Sequence, residues 1–486
     1  MVKADNAGSA EEAVDIVVDE VKPGANKINA QTPYDFDGRS LTAYGGLLPA
    51  AALLEKLGFE ELVHETVNLE LRRQTRSMAP YQFLIGMILA VYVGFSRLNH
   101  LQYLEREPMI LGILRVSRLP VQSTFWRFLE SLHLTVAAQL GRLEARLRQR
   151  VWDAANVKLT EVTLDTDTTV HTLYGSQMGG RVSYNPKNKG KKSYQPMLTF
   201  VAETREFAGG GLRNGDKPSG EDIARHLRLV IEHLPKTVKK IRARADAGFY
   251  CWKAVEAYTE AGCEFVLVAR KTPRLVEELQ AATWKRSKDT DADFECEFAY
   301  RPEGWDKPFR FVGLRYDQRE PDSRDPDQMG FFEGLACRFR VFVTNLDHWT
   351  IAEVTGFYDK RAAVENLIKE SNNDAGLTAH PSGIWAMNAN HFQLSMLAYN
   401  LNCWLALFQR EQDAKVEDLT HRTMATTRLR MLYLAARIWR HGGRTGTSYG
   451  SHYQERGLFD TLMQRLRAIE RTPNGYGPVV PIPLRA

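Results

Sequence analysis

Residues 158–175 read KLTEVTLDTDTTVHTLYG, and the nature of the fold hangs on them. Upstream, apolar residues recur every three or four positions. From Val157 the period falls to two and Thr and Val crowd in, so the segment reads as a strand running into a second one. A helical region therefore gives way at this point to a mixed α/β body. Asp165 and Asp167 stand at alternate positions of the strand, so both project from one face.

Downstream, a glycine-rich basic loop in GGRVSYNPKNKGKKSYQPMLTFVAET (179–204) leads to a strand at 197–202, and an amphipathic helix follows at 222–234. KKIRARADAGF (239–249), WKAVEAYTEAG (252–262) and CEFVLVAR (263–270) read as strand, helix and strand, a βαβ unit. Asp246 closes the first of these strands, and strand ends are where α/β proteins place reactive groups. Between 271 and 340 the helical period disappears. FECEFAY and FRFVGLRY alternate between Pro, Gly and Asp clusters, which predicts an antiparallel insertion. FRVFVTNL (339–346) resumes the sheet, and from Ile351 the pattern is helical up to a Pro-rich end after Thr472.

Upstream, LLPAAALLEKLGFEELV (47–63) and LHLTVAAQLGRLEARLRQRVW (132–152) carry helical stripes. Between them, LEREPMILGILRVSRLPVQSTFWRFLESL (104–132) predicts two short helices turning at Leu119-Pro120, a helix-turn-helix-like unit whose second helix opens at Ser123 or Thr124. Gln122, Ser123, Trp126 and Arg127 then lie near the start of a candidate recognition helix. The expected organisation is a disordered acidic segment (1–40), a helical candidate DNA-binding domain (41–156), a first part of the mixed α/β body (157–270), a β-strand insertion (271–340), a second part of that body (341–408) and a basic helical region (409–486).

Composition narrows the function classes. The chain has 486 residues, 44% hydrophobic and 25% charged, enough to bury a large core without staples. Its five cysteines are scattered with no C-x-x-C pair, and the start shows no secretory pattern, so reduced cytosolic thiols are expected and a zinc site is not. The most apolar run, YQFLIGMILAVYVGF (81–95), is shorter than the ~18 residues of a membrane span and reads as a buried helix. Net charge is only +5, but residues 421–486 hold eleven Arg, no Lys and three acids, a local +8. Such a basic end suits a phosphate-bearing partner as well as a solvated face. The loop 181–192 is more pointed, with Arg181, Lys187, Lys189, Lys191 and Lys192, no acid, and Tyr184 among them. Cations interleaved with aromatics suit tracking of a nucleic-acid backbone.

Glu365 stands on an expected helix with Tyr358 and Arg361 on the same face, at successive spacings of three and four. Carboxylates from separate elements that converge can hold Mg²⁺ through hard oxygen ligands, and two such ions can clamp the attacking and leaving oxygens of a phosphoryl transfer. Taken singly, each acid reads rather as an ordinary cap or surface group.

The order of the motifs adds more. LDTDTT with its trailing LYG, SYQPML with RNGDKPSGEDI, RADAGFY, and VFVTNL followed by YDKRAAVENLIKE occur in the order seen in DDE transposases of bacterial insertion sequences. The chain resembles that family from about Leu47 to about Phe408, most strongly over 162–373. It looks closest to the branch with a β insertion and a Tyr-Arg-Glu signature. The resemblance implies an α/β, ribonuclease-H-like mixed sheet with an antiparallel β insertion, flanked by helical amino- and carboxyl-terminal regions. It implies a Mg²⁺-dependent enzyme, with Mn²⁺ able to substitute, that binds terminal inverted repeats, cuts the element ends and joins them to target DNA as a homodimer in the cytoplasm. Asp167, Asp246 and Glu365 would be the metal ligands. The family's Asp-x-Thr form selects Asp167 with Thr169, leaving Asp165 beside the metal or as the ligand itself. Arg361, Tyr358 and Lys369 would face phosphate, Lys369 in place of a family Lys where this chain has Asn372. Trp305 in the insertion could stack on a flipped base or be packed in the core. Rival readings are another ribonuclease-H-like nuclease or resolvase, and a transposase-derived DNA-binding protein that no longer cuts.

Overall fold

The amino-terminal apolar stripes fold as helices α1 (Leu48–Lys56), α2 (Phe59–Thr66), α3 (Pro80–Tyr92), α4 (Pro108–Leu114), α5 (Gln122–Ser131) and α6 (Leu134–Ala154), preceded by a short strand β1 (Leu41–Thr42). The structure is a computed structural model and describes residues 28–69, 78–317, 337–411, 414–473 and 475–477. Residues 28–39 belong to a separate unit and are exposed throughout; residues 1–27 of the expected disordered segment lie outside the described residues. The apolar run at 81–95 becomes α3, buried on nearly every side, and among the described residues no helix is long and apolar enough to cross a membrane. Helix α5 opens earlier than expected. Val121, extended after Pro120, is its cap and its carbonyl already accepts the Thr124 N–H at 2.8 Å, so Ser123 and Thr124 sit inside the first turn.

The change of period at Val157 becomes β2 (Glu161–Thr168) and β3 (His171–Thr172), followed by β4 (Arg181–Val182), β5 (Lys192–Tyr194), β6 (Met197–Val201), β7 (Phe207–Gly211), α7 (Gly220–Glu232), β8 (Lys240–Ala245), α8 (Trp252–Glu260) and β9 (Glu264–Val268). In the main sheet these strands run β7-β6-β2-β8-β9, with β6 antiparallel to both its neighbours, β7 and β2, and β8 and β9 parallel to β2. This is the expected ribonuclease-H-like mixed sheet. Alternation along β9 shows its two covered faces. Phe265 and Leu267 pack with α7 and α8, while Val266 packs with Val354 on the other side.

The insertion holds α9 (Pro273–Ala281), β10 (Lys285–Arg286), β11 (Phe294–Tyr300) and β12 (Phe309–Asp317), and the chain returns through β13 (Cys337–Thr344). Helix α9 corrects the expectation of no helix there. Thr272 caps it, Pro273 starts it, and Leu275 and Leu279, one turn apart, are its buried face. Strand β13 pairs antiparallel with β9 and with β12, so the insertion prolongs the main sheet to nine strands, and the expected boundary at 340 falls inside β13.

Beyond it come α10 (Ile351–Asp359), α11 (Ala362–Asn373), α12 (Trp385–Leu407), α13 (Met424–Thr427), β14 (Ala436–His441), β15 (Arg444–Tyr449) and α14 (Arg456–Arg467). The β14–β15 hairpin overturns the expectation of an all-helical end. Its turn, Gly442-Gly443, has φ of 55° and 73°, the paired left-handed conformation of a tight two-residue hairpin that two glycines adopt without strain. β1 adds to β14 as a third strand.

Helix α12 packs against α6, α3 and β7 and joins the helical layer to the sheet edge. Its Asn400 donates to and accepts from the backbone of Phe207, meeting the edge strand as another strand would. Beneath this contact the Glu206 carboxylate, fully buried, accepts from Arg148 (3.0 Å), Trp152 (2.7 Å), Trp404 (2.7 Å) and Thr204 (2.8 Å). Glu144, which accepts from Asn400, has its carboxyl pushed up to about 8 by burial, against the pull of Arg148. A carboxyl raised above its ordinary 4.5 favours the fold fully below about pH 4.5, and that contribution is lost as pH rises through about 8. Glu144→Gln is expected to flatten this slope, gaining on the wild type by about 1.4 kcal/mol per unit of pKa shift removed. Thermal melts of both proteins between pH 5 and 8.5, run as roughly half-unit steps, check it; parallel curves would refute it.

Candidate active site

β2 and β8 run parallel in a register that sets Asp165 opposite Arg244 and Thr166 opposite Ala245. One step further, Asp167 on β2 and Asp246 just past the end of β8 therefore come side by side at the carboxyl ends of neighbouring strands. Because side chains alternate, Asp165 and Asp167 on β2 and Arg244 and Asp246 on β8 all rise from one face of the sheet.

The two Asp residues of β2 have different surroundings. Asp165 is buried and gripped by Arg244 through two bonds of 2.6 and 2.7 Å, and Arg244 also donates to the Phe357 carbonyl at 2.6 Å. Both Asp165 oxygens are thus engaged by a guanidinium that lies over the Phe357 ring. Asp167 is half-buried, accepts from the Thr168 N–H and forms an ion pair with Arg361 at 2.8 Å. Its carboxyl is pushed up to about 6, chiefly by burial, with the charge of Asp246 adding and Arg361 opposing. Asp246 caps the turn that follows it, accepting from the Gly248 N–H at 2.9 Å. Arg361 is buried, and its Nε has no hydrogen-bond partner. Tyr358 packs on Phe342, and burial raises its phenol pKa, opposed by Arg361 and reinforced by the charges of Asp246 and Asp167.

Glu365 is exposed in the first turn of α11, and among the described residues no three His, Cys, Asp or Glu side chains stand together in a way that could hold a metal ion. The expectation that Tyr358, Arg361 and Glu365 share one helical face is corrected. The backbone tightens at Lys360-Arg361, with Arg361 N–H bonded to Tyr358 O and Val364 N–H to Arg361 O, so Tyr358 lies in the last turn of α10 and Glu365 in the first turn of a separate helix, α11. Two of the three carboxylates are brought together, and the third is one turn of helix past the arginine that neutralises them.

Lys369 is exposed on α11. Asn372, where the family signature often has Lys, ties α11 to the β2–β3 connection, donating to Thr169 Oγ1 at 3.0 Å and meeting His171 Nε2 at 2.9 Å. His171 also meets His380 at 3.3 Å, and burial lowers its pKa to about 4, so the ring is neutral and structural. The loop from β4 to β5 leaves Arg181, Lys187, Lys189, Lys191, Lys192 and Tyr184 exposed, with Arg181 near Asp216 at 3.7 Å. Since β2 runs on through β3 into this loop, the cations belong to the end of the strand that carries Asp167. On α5, Ser123 and Arg127 face solvent, Gln122 is half-buried, and Trp126 packs partly into the helical core while Phe125 and Phe128 anchor on Phe83. Trp305 is not available to a base. It is buried among Tyr250, Trp252 and Phe309.

Sequence reasoning missed Arg244 and Asn372. RARAD did carry a signal for the first, since an Arg two residues before a strand-end Asp shares its face and must find an acid there.

The family model described as transposase DDE domain, group 1, matches residues 25–471. Among solved structures, the chain is similar to a piggyBac transposase determined by cryo-electron microscopy as a synaptic complex with hairpin DNA, at 12% identity over 80% of each chain and a TM-score of 0.40. No curated protein matches.

Proposed function

We propose that this chain, which belongs to the group 1 DDE-domain transposases, binds the terminal inverted repeats of an insertion sequence, cuts the element ends and joins them to target DNA. The observation that carries the reading is the pair Asp167 and Asp246, side by side at the ends of β2 and β8 beside a buried arginine with an unpartnered nitrogen. Two adjacent carboxylates, one raised to about 6 because burial and its neighbour disfavour its charge, suit a divalent cation. Asp167, Asp246 and Glu365 would hold Mg²⁺, or Mn²⁺ in its place, and the metal would supply charge stabilisation for an in-line phosphoryl transfer. Arg361, released from Asp167 once that carboxylate has another counter-charge, would turn its guanidinium to the scissile phosphate, with Tyr358 and Lys369 beside it. Arg181 and the lysines of the β4–β5 loop would track the backbone, and Ser123, Arg127, Gln122 and Trp126 would meet the repeat. Asp165 supports the site by holding Arg244 and is not itself a ligand in this reading. A homodimer, bringing two element ends together, and a cytoplasmic, nucleoid-associated location are part of the proposal.

Incubating purified protein with labelled DNA bearing the element ends, in Mg²⁺ and in EDTA, tests it. Mg²⁺-dependent cutting at the ends followed by strand transfer is expected. Cutting without transfer would indicate a nuclease of another kind. Binding without cutting would indicate a non-cleaving derivative.

A further inference from the structure

We infer that the β14–β15 hairpin is a second duplex-DNA contact, a basic ribbon that enters a groove; this rests on the transposase reading and extends it to a surface outside the catalytic sheet. Residues 436–449, ARIWRHGGRTGTSY, contain three Arg, one His and no acid. Most neighbouring arginines are committed. Arg428 and Arg465 bond buried carbonyls, Arg430 pairs with Glu455, and Arg456 with Asp460. Arg437, Arg440 and Arg444 are exposed and have no acidic partner among the described residues.

The shape fits as well as the charge. Six cross-strand pairs run from Ala436↔Tyr449 to His441↔Arg444, a ribbon about 20 Å long. β1 covers only its base, at Ala436 and Arg437, and there Tyr449 packs on Phe459 and bonds the Gly45 carbonyl. Beyond Ile438, whose N–H still donates to the Ser40 carbonyl at 2.8 Å, the ribbon has two strands and is slender, because β15 between Arg444 and Tyr449 is built of Thr, Gly and Ser. A two-stranded ribbon of this kind is what the ~12 Å major groove admits. Pairing sets Arg437, His441 and Arg444 on one face and Arg440 on the other. Cations on both faces suit a ligand with negative charge on both sides of the ribbon, as the two phosphate walls of a groove present. Trp439 stiffens the arm, because its ring lies across Gly446, where an added Cβ would come within 2.1 Å of a ring carbon.

The test is fluorescence anisotropy with a labelled, mixed-sequence DNA duplex over a range of salt, comparing the wild type with R437A/R440A/R444A and R437K/R440K/R444K. The alanine triple is expected to bind more weakly and to lose about 3 from the slope of log K against log salt, about 0.9 for each phosphate contact. The lysine triple should keep most of the slope. Should the alanine triple melt early, the single exposed change Arg440→Glu carries the same comparison. An alanine triple with the slope and affinity of a duplex-binding wild type overturns the hairpin inference alone. A wild type that binds no duplex overturns the transposase reading with it.

Discussion

Asp246→Ala is expected to lose Mg²⁺-dependent cutting of element ends by roughly a thousandfold or more while still binding them. Removing a carboxylate that holds a catalytic cation takes away several kcal/mol of charge stabilisation, and each 1.4 kcal/mol is a factor of ten. The fold should tolerate the change, because among the described residues the Asp246 side chain accepts one hydrogen bond, from the Gly248 N–H, a cap worth about 1 kcal/mol. Electrophoretic mobility shift and single-turnover cleavage on the same protein preparation separate the two effects. Asp165→Asn provides the contrast. It would strand the buried Arg244, so its defect should appear first as a lowered melting temperature, with DNA affinity and cutting falling together. If Asp165→Asn instead folds like the wild type and fails only in cutting, Asp165 is the ligand and the roles assigned on β2 must be exchanged. Undiminished cutting by Asp246→Ala would remove the metal–carboxylate mechanism altogether.

Arg148→Met should cost stability on the order of 3–5 kcal/mol, the usual result of breaking a fully buried ion pair. The change leaves the Glu206 carboxylate sealed from water with three neutral donors, Trp152, Trp404 and Thr204, and no counter-charge. Arg148 also restrains the rise of the Glu144 carboxyl, so its loss should leave Glu144 protonated to still higher pH. Urea titration measures the loss. Adding Glu206→Gln to the arginine variant is expected to restore part of it, since a neutral amide in the same cavity no longer needs a cation. A single variant within 1 kcal/mol of the wild type, a shift of about fivefold in the folding equilibrium, would show that the pair contributes little.

The strands carrying the two paired carboxylates were legible because a local period marks them. Alternation in KLTEVTLDTDTT and an Asp closing RARAD each have a direct geometric meaning, and neighbouring parallel strands did the rest. Glu365 was harder to judge. Its exposure depends on a tightened turn at Lys360-Arg361 that no residue type demands, and helical spacing alone put it on the face of Tyr358. Trp305 takes the core position that its sequence reading favours over base stacking, enclosed by Tyr250 and Trp252 from a distant segment and by the nearby Phe309. The β14–β15 hairpin was legible and overlooked. Gly-Gly between two short runs with Ile, Trp, Thr and Tyr is a turn signal, masked by the helical stripes on either side.

The chain's first and last segments complete each other. β1 pairs with β14, the Gly45 N–H bonds Leu434 O at 2.9 Å, Lys56 donates to Ile469 O at 3.3 Å, and Arg150 reaches the Tyr476 hydroxyl at 3.1 Å. Synthesis runs in one direction, so α1 leaves the ribosome long before α14 exists to cover it. At ~5–20 residues per second that wait is on the order of half a minute, during which apolar helix faces stay open to chaperones and proteases. A chain that stops short of Ala436 never ends it. A truncated molecule that lacks β14 and α14 is therefore expected to leave β1 unpaired and the α14-facing side of α1 uncovered.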